Sequence, residues 1–164
     1  MRLDAHQHYW TYSRDASDYG WIGADMDVLR RDYGPTDLAP LLSEIGFDGA
    51  VAVQARELEE ENDALLALAE ADTIVKAVVG WLDLCRPDIE ARIEHYAAQP
   101  AFKGVRMVIH DHPDPDFANS DNHKRGVGLL KRYGLTYDLL LKPPHIAAAT
   151  ALVDDVPHTR SVVN

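Results

Sequence analysis

Cysteine is almost absent from this chain of 164 residues; Cys85 is the only one. A lone thiol cannot close an internal disulfide, so a cross-linked secreted scaffold is excluded and a reducing cytoplasm is the expected compartment. Basic residues are scarce as well. Sixteen Lys and Arg stand against 27 Asp and Glu, for a formal net charge of -11. Such an acidic chain, without a basic stripe, is a poor partner for nucleic acid or an anionic membrane surface. No apolar run is long enough to span a bilayer, and no apolar leader segment opens the chain, because Asp4, His6 and His8 interrupt it. No G-x-G-x-x-G follows any candidate strand, which argues against a dinucleotide site.

What remains is a composition that is 46% hydrophobic and 26% charged, ordinary for a globular protein with a sizeable core. Six short apolar, partly β-branched runs read as strands: Arg2 to His8, Ala50 to Val53, a run within Ile74 to Leu84, Phe102 to Ile109, Tyr137 to Leu141, and Ser161 to Val163. Near-continuous apolar runs suit strands covered on both faces, as in parallel sheets. Between them lie helical patterns. Leu38, Leu41, Leu42 and Ile45 form one stripe, with Gly46 as its stop. Glu57 to Ala71 is rich in strong helix formers. Pro87 opens a third helix, with Ile89, Ile93 and Tyr96 on its stripe. His123 to Tyr133 and Pro144 to Val153 supply two more. Strand–helix alternation of this kind predicts an α/β protein with a parallel sheet, either a barrel or a doubly wound sheet.

Candidate chemistry gathers at the strand ends. His6 and His8 are two apart in the first strand, so both imidazoles project to one face. They form a two-ligand metal platform, a pair of polar catalytic groups, or two polar residues at a frayed edge. Gln54, Asp83, Arg106, His110 and Asp138 lie at the ends of the following strands. Arg106 and Asp138 are each costly to bury alone, so each wants a partner. Arg106 finds it in an anionic or carbonyl group of a ligand, or in an ion pair with Asp138 or Asp4. His110 and His112 repeat the alternating arrangement beside the proline-broken acidic loop Pro113–Asp116, and His110 is the functional candidate because it directly follows its strand. The long connection from Tyr9 to Pro35 is aromatic, with Trp10, Tyr12, Tyr19, Trp21 and Tyr33. It reads either as a functional loop or as a packed cover. His95, His123, His145 and His158 fall on helices or their starts and are expected to be exposed. The carboxylates Glu57, Glu59, Glu60 and Glu61 are expected to form a solvated helix start favoured by the macrodipole. Cys85, beside Arg86, has the setting for a depressed thiol pKa, with no histidine motif to accompany it.

Together these segments resemble the amidohydrolase family 2 proteins, in particular the sugar-lactone hydrolases among them. The resemblance rests on DAHQHYW from Asp4, LRRDYGPTDLAPLL from Leu29, VAVQA from Val51, VVGWLDL from Val78, KGVRMVIHDHPDPDF from Lys103 and GLTYDLLLKPPH from Gly134. It implies one TIM-barrel-like (β/α) domain over residues 1–164, incomplete at about six of eight strands, with the site at the C-terminal face of the strands. It further implies a hydrolase of a sugar-derived or related small lactone. His6 and His8 would hold a divalent metal such as zinc. Arg106 and Asp138 would be catalytic, and Trp10, Gln54 and His110 would contact substrate. Open edges at the first and sixth strands would favour self-association. Two other readings fit the same residues. One is a catalytically silent half-barrel that only binds or assembles. The other is a dicarboxylate-lactone hydrolase or metal-dependent decarboxylase, which would want more cations than Arg106 in its pocket.

Overall fold

The computed structural model describes residues 1–12 and 19–164. Within the expected Tyr9–Pro35 loop, residues 13–18 lie outside the described ones. The chain divides into two compact units, Met1–Val78 and Val79–Asn164.

In the first unit, β1 (Leu3–Gln7) runs parallel to β2 (Gly49–Val53), and β3 (Val75–Gly80) is next in order and crosses the unit boundary. Helix α1 (Pro35–Glu44) joins β1 to β2, and α2 (Glu59–Ala71) joins β2 to β3. Pro35 sits in the first turn of α1, where no amide hydrogen is needed, and the Asp37 carboxylate accepts the Gly34 N–H at 2.9 Å. Gly46 adopts φ 72°, a left-handed conformation that ends the helix with little strain only in a residue without a side chain. Ala50, Ala52, Val53, Leu65, Val75 and Val78 are buried in the core of this unit.

In the second unit, β4 (Phe102–Val108), β5 (Thr136–Leu140) and β6 (Ser161–Val163) lie side by side, parallel and in chain order. Helix α3 (Ile89–Ala97) precedes β4, α4 (Asp121–Leu130) precedes β5, and α5 (Ile146–Asp155) precedes β6. Ile89, Ile93 and Tyr96 are buried at spacings of four and three, the predicted stripe of α3. Val127 and Leu130 do the same for α4. Val162 and Val163 on β6 remain 46% and 75% exposed. All six expected strands and all five expected helices are therefore present, with boundaries shifted by a residue or a few. Among the described residues, no helix is long and apolar enough to cross a membrane.

Four local expectations are corrected. His123 and His145 are buried rather than exposed. The His123 ring bonds the Ala118 carbonyl through Nδ1 at 2.8 Å and meets the Tyr137 hydroxyl through Nε2 at 2.8 Å. Glu61 is 2% exposed, not solvated; one of its oxygens accepts the backbone N–H groups of both Ala55 and Arg56 at 2.9 Å. The thiol of Cys85 is pushed up, not down. Burial is the main cause and the Asp83 carboxylate adds to it, outweighing the opposing Arg125.

Candidate functional site

The first cluster is built by β1. Its register against β2 slips: Leu3 and Asp4 face Gly49 and Ala50, but Gln7 faces Ala52. Two residues of β1 thus oppose one of β2, which is a bulge, a device that re-aims side chains. The Asp4 carboxylate secures the irregular turn of backbone by accepting the His6 N–H at 3.1 Å and the Gln7 amide at 2.6 Å. Immediately beyond, the rings of His6 and His8 meet edge to face, with their Nε2 atoms 3.1 Å apart. His8 Nδ1–H donates to the Val53 carbonyl at 2.9 Å, which leaves the lone pair on its Nε2. Two lone pairs do not face each other stably at that distance, so a proton or a cation lies between them.

The spacing suits a cation. Two imidazole nitrogens at zinc-ligand distances in a tetrahedral shell are ~3.3 Å apart. The bond from His8 to a backbone carbonyl is the outer contact that fixes the tautomer of a ligating histidine. The donor chemistry therefore fits two positions of a metal shell. Among the described residues, no group of three or more His, Cys, Asp or Glu is arranged to hold an ion.

Gln54, the residue after β2, is fully buried beside the carbonyl that orients His8. Trp10 lies elsewhere in the first unit. It pairs with Tyr33 in an antiparallel bridge and spends its indole N–H on the Arg31 carbonyl at 3.0 Å. Only its ring is left for contact. It lines a cavity of about 420 Å³ with Tyr9, Tyr19, Tyr33 and Arg56, and neither His6 nor His8 reaches that cavity. Burial pushes the Tyr9 phenol up to about 12, with the Asp4 and Asp72 charges adding to it. Part of the aromatic loop is thus a packed cover that lines a cavity.

The second cluster belongs to the second unit. Arg106 on β4 and Asp138 on β5 are register partners, 5% and 6% exposed. The Asp138 carboxylate accepts the Asn164 amide at 3.2 Å and lies 3.5 Å from the Thr136 hydroxyl. His110, just past β4, meets Asp111 at 3.0 Å. Sequence reasoning passed over Asp111, Lys142 and Asn164, whose partners lie up to 31 residues away. His112 is structural: it stacks on Phe117 with ring centres 3.9 Å apart and accepts the Asp114 N–H.

The Amidohydro_2 amidohydrolase model matches residues 3–164. An L-fucono-1,5-lactonase of Burkholderia ambifaria is 34% identical over the whole of this chain and 56% of its own length. A second L-fucono-1,5-lactonase, from Burkholderia multivorans, is 39% identical over 86% of this chain and 47% of its own. A crystal structure of an amidohydrolase from Burkholderia multivorans with bound zinc superposes with a TM-score of 0.93 at 35% identity, over 99% of this chain and 57% of that one. The chain spans about half the length of these relatives, and its six strands are those of an incomplete TIM-barrel-like fold. With its strand–helix units, its paired histidines at the end of β1 and this match along nearly every residue, the chain belongs to the Amidohydro_2 family of amidohydrolases.

Proposed function

We propose that this chain carries part of the active site of a hydrolase that opens a small sugar-derived 1,5-lactone. The observation that carries this reading is the similarity to two L-fucono-1,5-lactonases, along the whole chain for one and 86% of it for the other. The convergence of His6 and His8 at the end of β1 supports it. In this reading His6 and His8 are two ligands of a divalent cation, zinc in particular, as bound in the related amidohydrolase structure. A cation held there would supply Lewis-acid polarisation of the lactone carbonyl.

The remaining roles belong to the chain's own groups. Arg106 presents a guanidinium suited to the oxyanion that develops as the carbonyl is attacked. Asp138, at the neighbouring register position on β5, is the carboxylate this reading assigns to orient that guanidinium. In this reading Gln54 and His110 offer hydrogen bonds to the hydroxyls and ring oxygen of the sugar. The lone cysteine, which cannot close an internal disulfide, supports a reducing compartment such as the cytoplasm for this activity.

The test is hydrolysis of L-fucono-1,5-lactone by the full chain, followed by proton release, with and without added Zn²⁺. Turnover above background that rises with Zn²⁺ is expected. No rate in either condition overturns the reading and favours a silent half-barrel that only binds.

A further inference from the structure

His110 has two differently furnished nitrogens. Its Nε2 lies 3.0 Å from Asp111 Oδ2. Asp111 in turn receives Lys142 Nζ at 2.8 Å on its other oxygen. Lys142 follows β5 just as His110 follows β4, so the three groups sit at the C-terminal ends of adjacent strands. An ionised carboxylate only accepts, so the proton of a neutral His110 ring is on Nε2 and the lone pair is on Nδ1. That Nδ1 is buried and finds no hydrogen-bond partner among the described residues. An unmet buried acceptor is costly, a cost tolerated most readily where a ligand or reacting water meets it. Lys142, first, and His110 hold the Asp111 carboxyl below its usual range, so the orienting charge persists.

We propose that His110 Nδ1 is the proton-accepting nitrogen of the site, with Asp111 orienting the ring and Lys142 anchoring Asp111. The inference rests on the lactone-hydrolase reading and gives a specific role to one of its residues. As a water oxygen bonds to the lactone carbonyl carbon, one water proton passes to Nδ1 and the carbonyl π pair moves onto its oxygen. As the tetrahedral species collapses, the bond from that carbon to the ring oxygen breaks. The Nδ1 proton passes to the departing oxygen, leaving an open-chain hydroxy acid. Throughout, the Nε2–H···Asp111 contact stabilises the transient imidazolium, the part played by the buried aspartate of a Ser-His-Asp triad.

Two measurements on the full chain test this. The first is the tautomer of His110, read from ¹⁵N shifts of histidine-labelled protein and assigned with His110→Gln. An Nε2–H tautomer is expected in the wild type, shifting toward a mixture in Asp111→Asn. A dominant Nδ1–H tautomer in the wild type overturns the proposal whatever the activity. The second is lactone hydrolysis. His110→Gln is expected to lower kcat by about 100-fold or more with KM little changed, and free imidazole to restore part of the rate to His110→Ala. An active wild type with a His110→Gln variant within about threefold of it overturns the base while leaving the lactonase reading intact. An inactive wild type overturns the lactonase reading, and the proton-accepting arrangement is then decided by the tautomer alone.

Discussion

Arg106 and Asp138 stand directly opposite each other on β4 and β5, both nearly removed from solvent. Matching register positions on parallel neighbours point to the same face, so a guanidinium and a carboxylate share one buried environment. Removing one member of such a pair leaves the other charge buried, at a cost of roughly 3–5 kcal/mol. Arg106→Met and Asp138→Asn are each expected to lower the urea midpoint strongly. The double variant should lose much less than the sum of the two. Strict additivity in this double-mutant cycle would show that the two side chains do not interact.

The His6–His8 pair makes a prediction for metal binding alone. With two imidazoles poised 3.1 Å apart, the chain should take up Zn²⁺ in calorimetry, weakly, because two ligands leave most of the shell to water. His6→Ala and His8→Ala should each lower the affinity by tenfold or more. Undiminished uptake by both variants would place the zinc elsewhere.

His123 predicts an acid-sensitive second unit. Burial, the main cause, holds the folded imidazole below its usual value against the opposing hydrogen bond to Ala118. The unfolded chain therefore binds a proton near pH 6.5 while the folded chain resists it. Stability is then present above that value and falls as pH drops through it. Urea midpoints should decline between pH 7 and pH 5. His123→Gln should be less stable at pH 7 yet show a flatter decline. A decline of equal slope in the variant would assign the acid sensitivity to other groups.

The strands and helices were legible because apolar periodicity is a local property of the chain. The β1 histidines were legible for the same reason, since a spacing of two fixes a shared face. The partners of buried polar groups were not, even where burial was expected as for Asp138, because such partners are distant in sequence. His123 needs the Tyr137 hydroxyl, and Asp138 is met by the Asn164 amide. A local signal did exist for two of them. His123 continues the Val127 and Leu130 stripe of α4, and Glu61 continues the Leu65 and Leu68 stripe of α2. A polar residue on an apolar stripe marks a buried, partnered group more often than a solvated one. The bulge in β1, by contrast, has no glycine or proline to announce it.

Two glycines of α4 make opposite predictions for the same substitution. Alanine is favoured over glycine in a helix by roughly 1 kcal/mol, so either change gains that much from the backbone. Gly128 has room: an added methyl meets only Val156 Cγ1, at an ordinary 3.6 Å. Gly126 has none, because a methyl there runs into the Leu84 carbonyl, which is backbone and cannot rotate away. The same segment is pinned to α4 by Arg125, whose guanidinium donates to the Cys85 and Arg86 carbonyls at 3.2 and 2.7 Å. Overpacking of this kind typically costs 1–3 kcal/mol, enough to reverse the helix gain. Gly128→Ala should therefore raise the melting temperature by a few degrees, and Gly126→Ala should lower it. Equal shifts of the same sign would show that α4 does not rest on the Leu84 backbone as closely as described.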